Sequence, residues 1–422
     1  MRSNPILFLV IFLGVLFLID LYTAKGIKVL VQNVDQVALR RAALIAHWAV
    51  YAIIVVWVLV AVLNYPWMSN YKHYKFYYYL FGLIILFYIP KILFSLFIFA
   101  DDISYGVQFV LSKLKPASPA DPVGEQLSRR MFLYQAGAVV ATIPFLGAAY
   151  GMIKGRFDFK VVRKTITASN FPSSFNGLRV VQISDAHLGS FFDNKKPVQK
   201  AFDSINALEP DLILFTGDMV NNYSIEAENW IDSFKGLKAK LGKFAIVGNH
   251  DYGDYSSWPD EQRKQANFDR LIEIEQEMGF EVLLNQNKVL ERNGEKLAII
   301  GVENWGIKPF PQKGDVQKAK SGAEEAPYKI LMSHDPSHWD EIVLKEHSDI
   351  DITLSGHTHG AQFGVQLGNI KWSPVKYKYP RWAGMYEEGN QKLYVNRGFG
   401  YIGFPGRVGM PPEITCLEFS SI

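Results

Sequence analysis

Cysteine is nearly absent from this chain of 422 residues, which holds only Cys416. An intrachain disulfide is therefore excluded, and with it the class of small disulfide-stapled scaffolds. The chain also has little excess of one charge sign, since the formal net charge is only +3. Proteins that bind nucleic acid usually carry a clustered basic face, so this balance predicts no nucleic-acid partner.

Charged residues are sparse in the first 155 residues, where four apolar stretches cover residues 3–19, 42–63, 76–100 and 131–153. Because a membrane span needs about 20 apolar residues, we predict an N-terminal α-helical transmembrane bundle of about four helices over residues 1–155. The first stretch is short and also fits a signal peptide, although no convincing cleavage site follows it. Within the bundle, Lys91 is expected to snorkel to the interface, and His47 is expected to be a hydrogen-bonded packing residue.

Basic residues in the predicted loops indicate an orientation. The loops after the first stretch and before the fourth hold eight Lys and Arg residues, and the loop between them holds two. The positive-inside rule then places the C-terminal domain on the outer face. Five basic residues at 154–164 oppose this assignment, so the cytoplasmic face stays open. The segment "SRRMFL" (128–133) resembles the twin-arginine export motif, which implies the twin-arginine translocase as a partner, although two arginines before a span also fit the positive-inside rule.

Residues 156–422 have the composition of a soluble domain, with five apolar runs of strand length: "LRVVQIS", "DLILFT", "KFAIVG", "YKILMS" and "IDITLS". The runs do not alternate strictly, which is typical of strands covered on both faces. Stretches of about 30 residues between the first three can each hold a helix, which predicts a layered α/β domain. Asn293-Gly294 predicts a hairpin turn, and residues 306–327, rich in Pro, Gly and charge, predict a mobile loop.

Polar side chains follow every one of these five runs. They are Asp185 and His187, then Asp218, then Asn249, His250 and Asp251, then His334 and Asp335, and finally His357 and His359. Ligands bind at the carboxyl ends of strands in open α/β sheets. Carboxylates, imidazoles and an amide oxygen suit divalent cations such as Mn, Fe, Zn or Ni. His338 and His347 follow no strand end and are expected at the surface.

The blocks "SDAHLG", "TGDMV", "GNHDY", "SHDP" and "SGHTHG", in this order, resemble the calcineurin-like metallophosphoesterase superfamily over residues 178–360. The residues in these blocks are most similar to those of the membrane-associated, often twin-arginine-exported bacterial branch. The resemblance implies an α/β fold in which two sheets lie between helices, a four-layer αββα sandwich, over residues 156–422. With the apolar stretches, it implies an integral protein of the bacterial inner membrane whose catalytic domain faces the periplasm.

The resemblance also implies a site with two divalent metal ions. The first ion would be held by Asp185, His187 and His359. The second would be held by Asn249, His334 and His357, and Asp218 would bridge the two. His250 would be a catalytic residue beside the pair, with Asp251 orienting its imidazole. A hydroxide bridging the metals would attack phosphorus, and His250 would assist the leaving oxygen.

These features predict a membrane-anchored dimetal hydrolase of phosphomono- or phosphodiesters, and the anchor points to a lipid-linked substrate. One alternative is a UDP-diacylglucosamine-type pyrophosphatase of lipid A synthesis, which would place the domain on the cytoplasmic face. A non-enzymatic membrane scaffold with a vestigial site is disfavoured because all seven ligands are intact. A nuclease would need a basic groove, but the nearby basic residues instead cluster beside the fourth apolar stretch. The aromatic-rich segment 371–388 either grips a lipid or interface, or forms a lid packed on the core.

Overall fold

Contacts divide the chain into two compact units, Met1–Tyr150 and Gly151–Ile422. The computed structural model describes residues 5–64, 71–114, 123–192, 194–367 and 370–422.

Four long helices make up the first unit: α1 (Pro5–Val31), α2 (Val37–Leu63), α3 (Tyr74–Leu114) and α4 (Val123–Ile153). Each contains a segment long and apolar enough to cross a membrane, and a helix satisfies its own backbone polar groups there. The predicted helical bundle is confirmed. Helix α3, with 41 residues, contains Pro90 without ending there. At 1.5 Å per residue it is about 60 Å long, roughly twice the hydrocarbon thickness, so it extends beyond a bilayer core.

A polar cluster centred on Asp20 links three of these helices. The Asp20 side chain of α1 is fully buried and is contacted by Lys91 and Tyr88 of α3. His47 of α2 lies 3.3 Å from its Oδ1 atom and 2.9 Å from its main-chain oxygen. The prediction that Lys91 snorkels is wrong, because a buried carboxylate offers the ammonium a partner inside the bundle. His47 is hydrogen-bonded, as predicted.

A second polar cluster joins α1, α3 and α4. Arg130 Nε donates to Asp101 Oδ2 at 2.8 Å, and Tyr134 donates to the same oxygen at 3.2 Å. Next to it, Asp102 pairs with Lys25 and accepts from Tyr22 at 2.9 Å. Two of the basic residues that set the predicted orientation, Lys25 and Arg130, are therefore held in ion pairs to α3.

Two six-stranded sheets form the centre of the second unit. The first sheet has the order β1-β14-β2-β3-β4-β5. Its strands are β1 (Lys160–Ala168), β14 (Glu413–Ser421), β2 (Leu178–Ile183), β3 (Leu212–Thr216), β4 (Gly242–Ile246) and β5 (Glu281–Val282). The second sheet has the order β12-β13-β9-β8-β7-β6. Its strands are β12 (Gly384–Glu388), β13 (Gln391–Val395), β9 (Ile352–Ser355), β8 (Tyr328–Met332), β7 (Glu295–Gly301) and β6 (Gln286–Arg292).

Side chains of both sheets share one apolar core. Leu212 and Leu214 of β3 belong to the same buried cluster as Ile330 of β8. The alternate residue Phe215 points to the other face of its sheet, where its ring contacts Phe234, as the two-residue period of a strand requires. A strand buried on both faces needs apolar residues at every position, which explains the continuous runs in the sequence.

Short helices cover the outer faces of the sheets. They are α5 (Lys195–Ala207), α6 (Ile225–Glu228), α7 (Ile231–Lys235), α8 (Glu261–Glu277), α9 (Val316–Ala319) and α10 (Leu344–Glu346). A small antiparallel ribbon, β10 (Val365–Leu367) with β11 (Ile370–Trp372), lies apart from the two large sheets. The four-layer αββα prediction is confirmed.

The connections show one confirmed prediction and one correction. Strands β6 and β7 form an antiparallel hairpin, with Asn293 at φ 53° and Gly294 at φ 80° in its turn, as the sequence predicted. Residues 306–327 do not form a simple mobile loop. They contain α9, and Ala319 and Ala323 are buried against the second sheet, because small apolar residues pack there between the charged ones.

The parallel strands end at matched heights. Ile183 of β2 pairs with Phe215 of β3, and Thr216 of β3 pairs with Ile246 of β4. In the second sheet Met332 of β8 pairs with Leu354 of β9. The residues that follow these five strands therefore start from the same edges of the two sheets.

We expect Lys91→Met to destabilise the first unit strongly, because it leaves the fully buried Asp20 without its cation. Removing one partner of a buried pair costs about 3–5 kcal/mol. Lys25→Met is the matched control, since the Lys25–Asp102 pair is more than one-third exposed and such pairs contribute about 0–1 kcal/mol.

The measurement is thermal unfolding of the full chain in detergent. Asp20→Leu combined with Lys91→Met should recover much of the lost stability, because no unpaired charge then remains. Equal effects of the Lys91 and Lys25 substitutions would contradict the assignment.

Candidate metal centre

Five predicted ligands have left-handed backbone conformations, in which φ is positive. They are Asp185 (φ 52°), His187 (φ 43°), Asp218 (φ 59°), His357 (φ 68°) and His359 (φ 51°). Residues other than glycine rarely adopt this region, and such conformations cluster at functional sites. Each turns the chain sharply where a strand ends, so that side chains from separate strands point to one place.

The first group of candidate ligands is Asp185, His187 and His359, whose ligand atoms all lie within 4.8 Å of one another. The Nε2 atoms of His187 and His359 are 3.0 Å apart. His359 Nε2 is also 3.3 Å from Asp185 Oδ1. All three side chains are buried, so their nitrogen and oxygen donors converge away from water.

The second group is Asp218, His334 and His357, again with ligand atoms within 4.8 Å. His334 Nε2 lies 3.1 Å from Asp218 Oδ2. The amide oxygen of Asn249 is 2.8 Å from His357 Nδ1, which adds a neutral oxygen to this group.

Asp218 lies between the two groups. Its Oδ2 atom is 3.1 Å from His334 and 3.6 Å from His187, so one carboxylate reaches both sets of donors. The structure therefore brings together all seven side chains that were predicted from the sequence as ligands. Two carboxylates, four imidazoles and one amide are a donor set that fits a pair of divalent cations.

Hydrogen bonds on the outer side of the ring orient His334. Its Nδ1 atom donates to the main-chain oxygen of Thr216 at 2.7 Å. Nδ1 therefore carries a proton, and Nε2 faces the centre, 3.1 Å from Asp218 Oδ2. A carbonyl that fixes the tautomer of a ligating histidine is a common arrangement around protein-bound metals.

Burial and the Asp218 carboxylate set the protonation states of the imidazoles. It lowers the pKa of His187 to about 3 and that of His357 to about 4, so both rings are neutral near pH 7, the form that binds metals. Burial would also lower the pKa of His334, but the Asp218 carboxylate raises it to about 10.

The carboxylates show the converse effect. Burial, together with the negative charge of Asp218, raises the pKa of Asp185 to about 7, although His334 opposes the shift. Two buried carboxylates this close favour a positive charge between them. The electrostatics and the geometry thus agree on a cation-binding site.

His250 lies beside the first group. Its ring contacts the ring of His187 edge-on, with centroids 4.9 Å apart, and Tyr255 packs on it at 4.4 Å. Its Nδ1 atom is 2.8 Å from the main-chain oxygen of Asn221. Since a carbonyl only accepts, Nδ1 carries a proton and Nε2 remains the basic nitrogen.

The predicted role of Asp251 needs a correction. Its carboxylate accepts backbone N–H groups of Asp218, Met219 and Gly248 at 2.8 Å each, and of Val220 at 3.2 Å. The Asn221 carbonyl, and not Asp251, holds the His250 imidazole. A buried carboxylate takes the nearest donors, and here these are backbone groups of the loops after β3 and β4, which Asp251 ties together.

Two residues that contact His357 were not predicted from the sequence to do so. Tyr379 Oη lies 2.8 Å from His357 Nε2, and Asp335 Oδ2 lies 3.4 Å from the same nitrogen. They position the ring so that Nδ1 faces Asn249. The "SHDP" block contained Asp335, and the aromatic-rich segment contained Tyr379, but neither pattern indicated this contact.

A further carboxylate supports the loop that holds His250. The buried Glu226 accepts the backbone N–H groups of Asn221, Asn222 and Tyr223 at 2.8, 3.1 and 3.0 Å. Nothing in its sequence surroundings indicated this contact, because its partners are backbone groups.

His338 and His347 are buried, and not on the surface as predicted. His338 stacks on Trp305 with ring centroids 4.9 Å apart, and its Nδ1 atom is 2.8 Å from Ser333 Oγ. Aromatic stacking and one hydroxyl hold this ring in place, while its buried Nε2 atom has no hydrogen-bond partner among the described residues.

The aromatic-rich segment 371–388 is divided between the two interpretations. Tyr379 and Trp382 are buried and pack with Met410, as a lid on the core would. Tyr377 is 78% exposed, and its neighbours Lys376 and Lys378 are exposed as well. Part of the segment is therefore core, and part is available to a ligand or a surface.

Comparisons with known proteins agree with this geometry. Residues 1–156 match the family described as "Probable Calcineurin-like phosphoesterase, transmembrane domain", and residues 178–361 match "Calcineurin-like phosphoesterase". The uncharacterized metallophosphoesterase YkuE of Bacillus subtilis is 31% identical over 304 residues, which are 70% of this chain and 99% of that protein.

Two further relatives come from Danio rerio and Chlamydia trachomatis. A transmembrane protein with metallophosphoesterase domain from Danio rerio is 30% identical over 64% of this chain and 59% of its own length. The UDP-2,3-diacylglucosamine pyrophosphatase LpxG of Chlamydia trachomatis is 29% identical over 61% of this chain and 88% of its own length. The chain belongs to the calcineurin-like metallophosphoesterase family and is a membrane-associated, metal-dependent phosphoester hydrolase.

Proposed function

We propose that residues 1–155 anchor the chain in a membrane and that residues 156–422 hydrolyse phosphomono- or phosphodiesters at a centre of two divalent cations. Asp185, His187 and His359 would hold one cation, and Asn249, His334 and His357 the other, with Asp218 shared. The observation that carries the proposal is the convergence of these seven side chains from five strand ends into two adjoining groups of donors.

Two divalent cations bound there would neutralise the charge of a phosphoryl group and generate a nucleophile near neutral pH. The chain's own residues prepare for this chemistry. Thr216 and Tyr379 fix the orientation of the His334 and His357 rings, so the donor atoms need not reorganise. Preorganised charge of this kind is usually the largest contribution to catalysis.

His250 is the residue we assign to the leaving group. It is only partly buried, it borders the first group of ligands, and its Nδ1 proton is held by the Asn221 carbonyl. Protonation at Nε2 would give an acid that transfers its proton to the departing oxygen, or a positive partner for that oxygen.

The substrate we propose is a lipid-linked phosphoester, because a hydrolase with its own membrane anchor meets lipids without diffusing to them. The likeness to LpxG supports a second candidate, a pyrophosphatase acting on an acylated sugar nucleotide. A scaffold with a vestigial site is disfavoured because all seven donor side chains are present.

Asn249→Ala should lower the metal content of the Mn-loaded chain from two equivalents towards one and reduce phosphodiester hydrolysis by at least about tenfold, because one oxygen donor is lost. Plasma mass spectrometry and a generic diester assay measure the two effects. Asn390→Ala, at an exposed position, is the matched control. Full activity and full metal content in Asn249→Ala would refute the ligand assignment.

His250→Ala should lower kcat about 10²-fold or more for an alkyl ester, since general acid catalysis contributes about 10²–10⁴-fold. The loss should be much smaller for a nitrophenyl ester, whose leaving group needs no proton. Metal content should stay at the wild-type value. An equal loss for both esters would assign His250 a structural role instead.

We also propose that the catalytic unit lies on the outer face of a bacterial inner membrane. This rests on the eight Lys and Arg residues in the loops after the first and before the fourth apolar stretch, against two in the loop between them. A reporter fused after Ile422 that is active only outside the cytoplasm should therefore give a signal. Export of a folded, metal-loaded unit would suit the twin-arginine translocase, and Arg129→Lys with Arg130→Lys would test that route. A signal from a cytoplasmic reporter would support the pyrophosphatase alternative.

A further inference from the structure

A cavity of about 500 Å³ adjoins the candidate metal centre. Tyr379 lines this cavity and also places its hydroxyl 2.8 Å from His357 Nε2. Pro336, another lining residue, directly follows Asp335, whose carboxylate is 3.4 Å from the same nitrogen. The cavity and the candidate ligands thus share one layer of side chains.

The walls of the cavity are largely apolar although they face solvent. The lining includes Ile307, Pro336, Tyr379 and Pro380, and Ile307 is 52% exposed. Ligand pockets typically combine apolar walls with a few polar groups, and exposed apolar patches mark binding surfaces. The chemistry of the walls favours an apolar chain as the occupant.

One cation in this cavity lacks a carboxylate partner. Arg381 pairs with Asp340 at 3.5 Å and with Glu388, and Glu341 pairs with Lys345 at 2.7 Å. Among the described residues, Lys378 has no carboxylate within ion-pair distance. Its positive charge is therefore free to attract an anion.

Lys378 lies on the side of the cavity that is next to the candidate metal centre. Its Nζ atom lies 4.9 Å from the ring centroid of Phe310 and 5.2 Å from that of Tyr379. Both of these rings contact His357, Phe310 edge-on at 4.8 Å. The ammonium group is therefore one aromatic ring away from His357, a candidate ligand.

The geometry points to this cavity as the binding site for the non-reacting chain of an amphiphilic phosphoester. The alkyl chain lies against Ile307 and Pro336, the phosphoryl end lies at the metal centre, and Lys378 attracts that anionic end. This inference rests on the proposed function and assigns the residues that hold the apolar chain of the lipid-linked substrate proposed there.

Binding is tested with the full chain in nanodiscs, loaded with Mn, against methyl-, butyl- and octylphosphonate by isothermal titration calorimetry. Empty nanodiscs give the reference for partitioning. Each buried methylene strengthens binding about fourfold. Octylphosphonate should therefore bind roughly tenfold or more tightly than methylphosphonate, even if only part of the chain is buried.

Two variants separate the roles of the wall and the cation. Ile307→Ser should reduce the gain from methyl- to octylphosphonate to about threefold or less. Lys378→Gln should weaken all three phosphonates by a similar factor and keep that gain. Tyr377→Ser and Lys376→Gln are the matched controls, because these exposed neighbours do not line the cavity. If they reduce the gain as much as Ile307→Ser does, the ligand contacts the outer surface of the segment and the inference is wrong.

Hydrolysis of octyl phosphate and methyl phosphate separates this inference from the proposed function. Both hold if kcat/KM rises with chain length in the wild type and Ile307→Ser lowers the ratio. Equal rates and equal affinities for both chain lengths would overturn the cavity assignment and leave the hydrolase standing. Chain-length-dependent binding without turnover of either ester would support the cavity assignment and refute the proposed function.

Discussion

The second unit depends on one electrostatic constraint, the burial of Asp185 and Asp218 within a few ångströms of four imidazoles. Desolvation and mutual repulsion disfavour two buried carboxylates, and the raised pKa of Asp185 records that cost. Two aligned sheet edges supply the geometry, because matched strand ends bring residues far apart in sequence to one place. Positive φ angles at five of the ligands show that the backbone is bent to serve this convergence.

Three buried carboxylates, Asp20, Asp251 and Glu226, show two ways in which a buried charge is compensated. In the helical unit Asp20 is compensated by a cation and two hydrogen-bonding rings from neighbouring helices. In the hydrolase unit Asp251 and Glu226 are compensated by backbone N–H groups of loops. A helix interior offers no free backbone donors, so a carboxylate there needs side chains, whereas loops at strand ends offer several. The same residue type is therefore paired according to the local backbone.

The sequence allowed the strands, the layered fold and the seven converging side chains to be predicted, because strand-end residues depend on chain order and on a two-residue period. It also located the Asn293-Gly294 hairpin, since that turn needs positive φ at both residues. Contacts made by tertiary packing were missed. His338 is buried by stacking on Trp305, Lys91 is held by a carboxylate 71 residues away, and the Asn221 carbonyl holds His250. None of these partners is adjacent in sequence.

The single amide among the candidate ligands has an electrostatic consequence. Asp185 and Asp218 carry two negative charges, so two divalent cations at this site would leave a net charge of about +2, which matches a phosphoryl dianion. A carboxylate in place of Asn249 would halve that charge and weaken the attraction for substrate at close range. Asn249 therefore contributes an oxygen donor without lowering the charge that draws in phosphate. The Asn249 amide nitrogen donates to Tyr255 Oη at 2.8 Å, which keeps the amide oxygen turned towards His357.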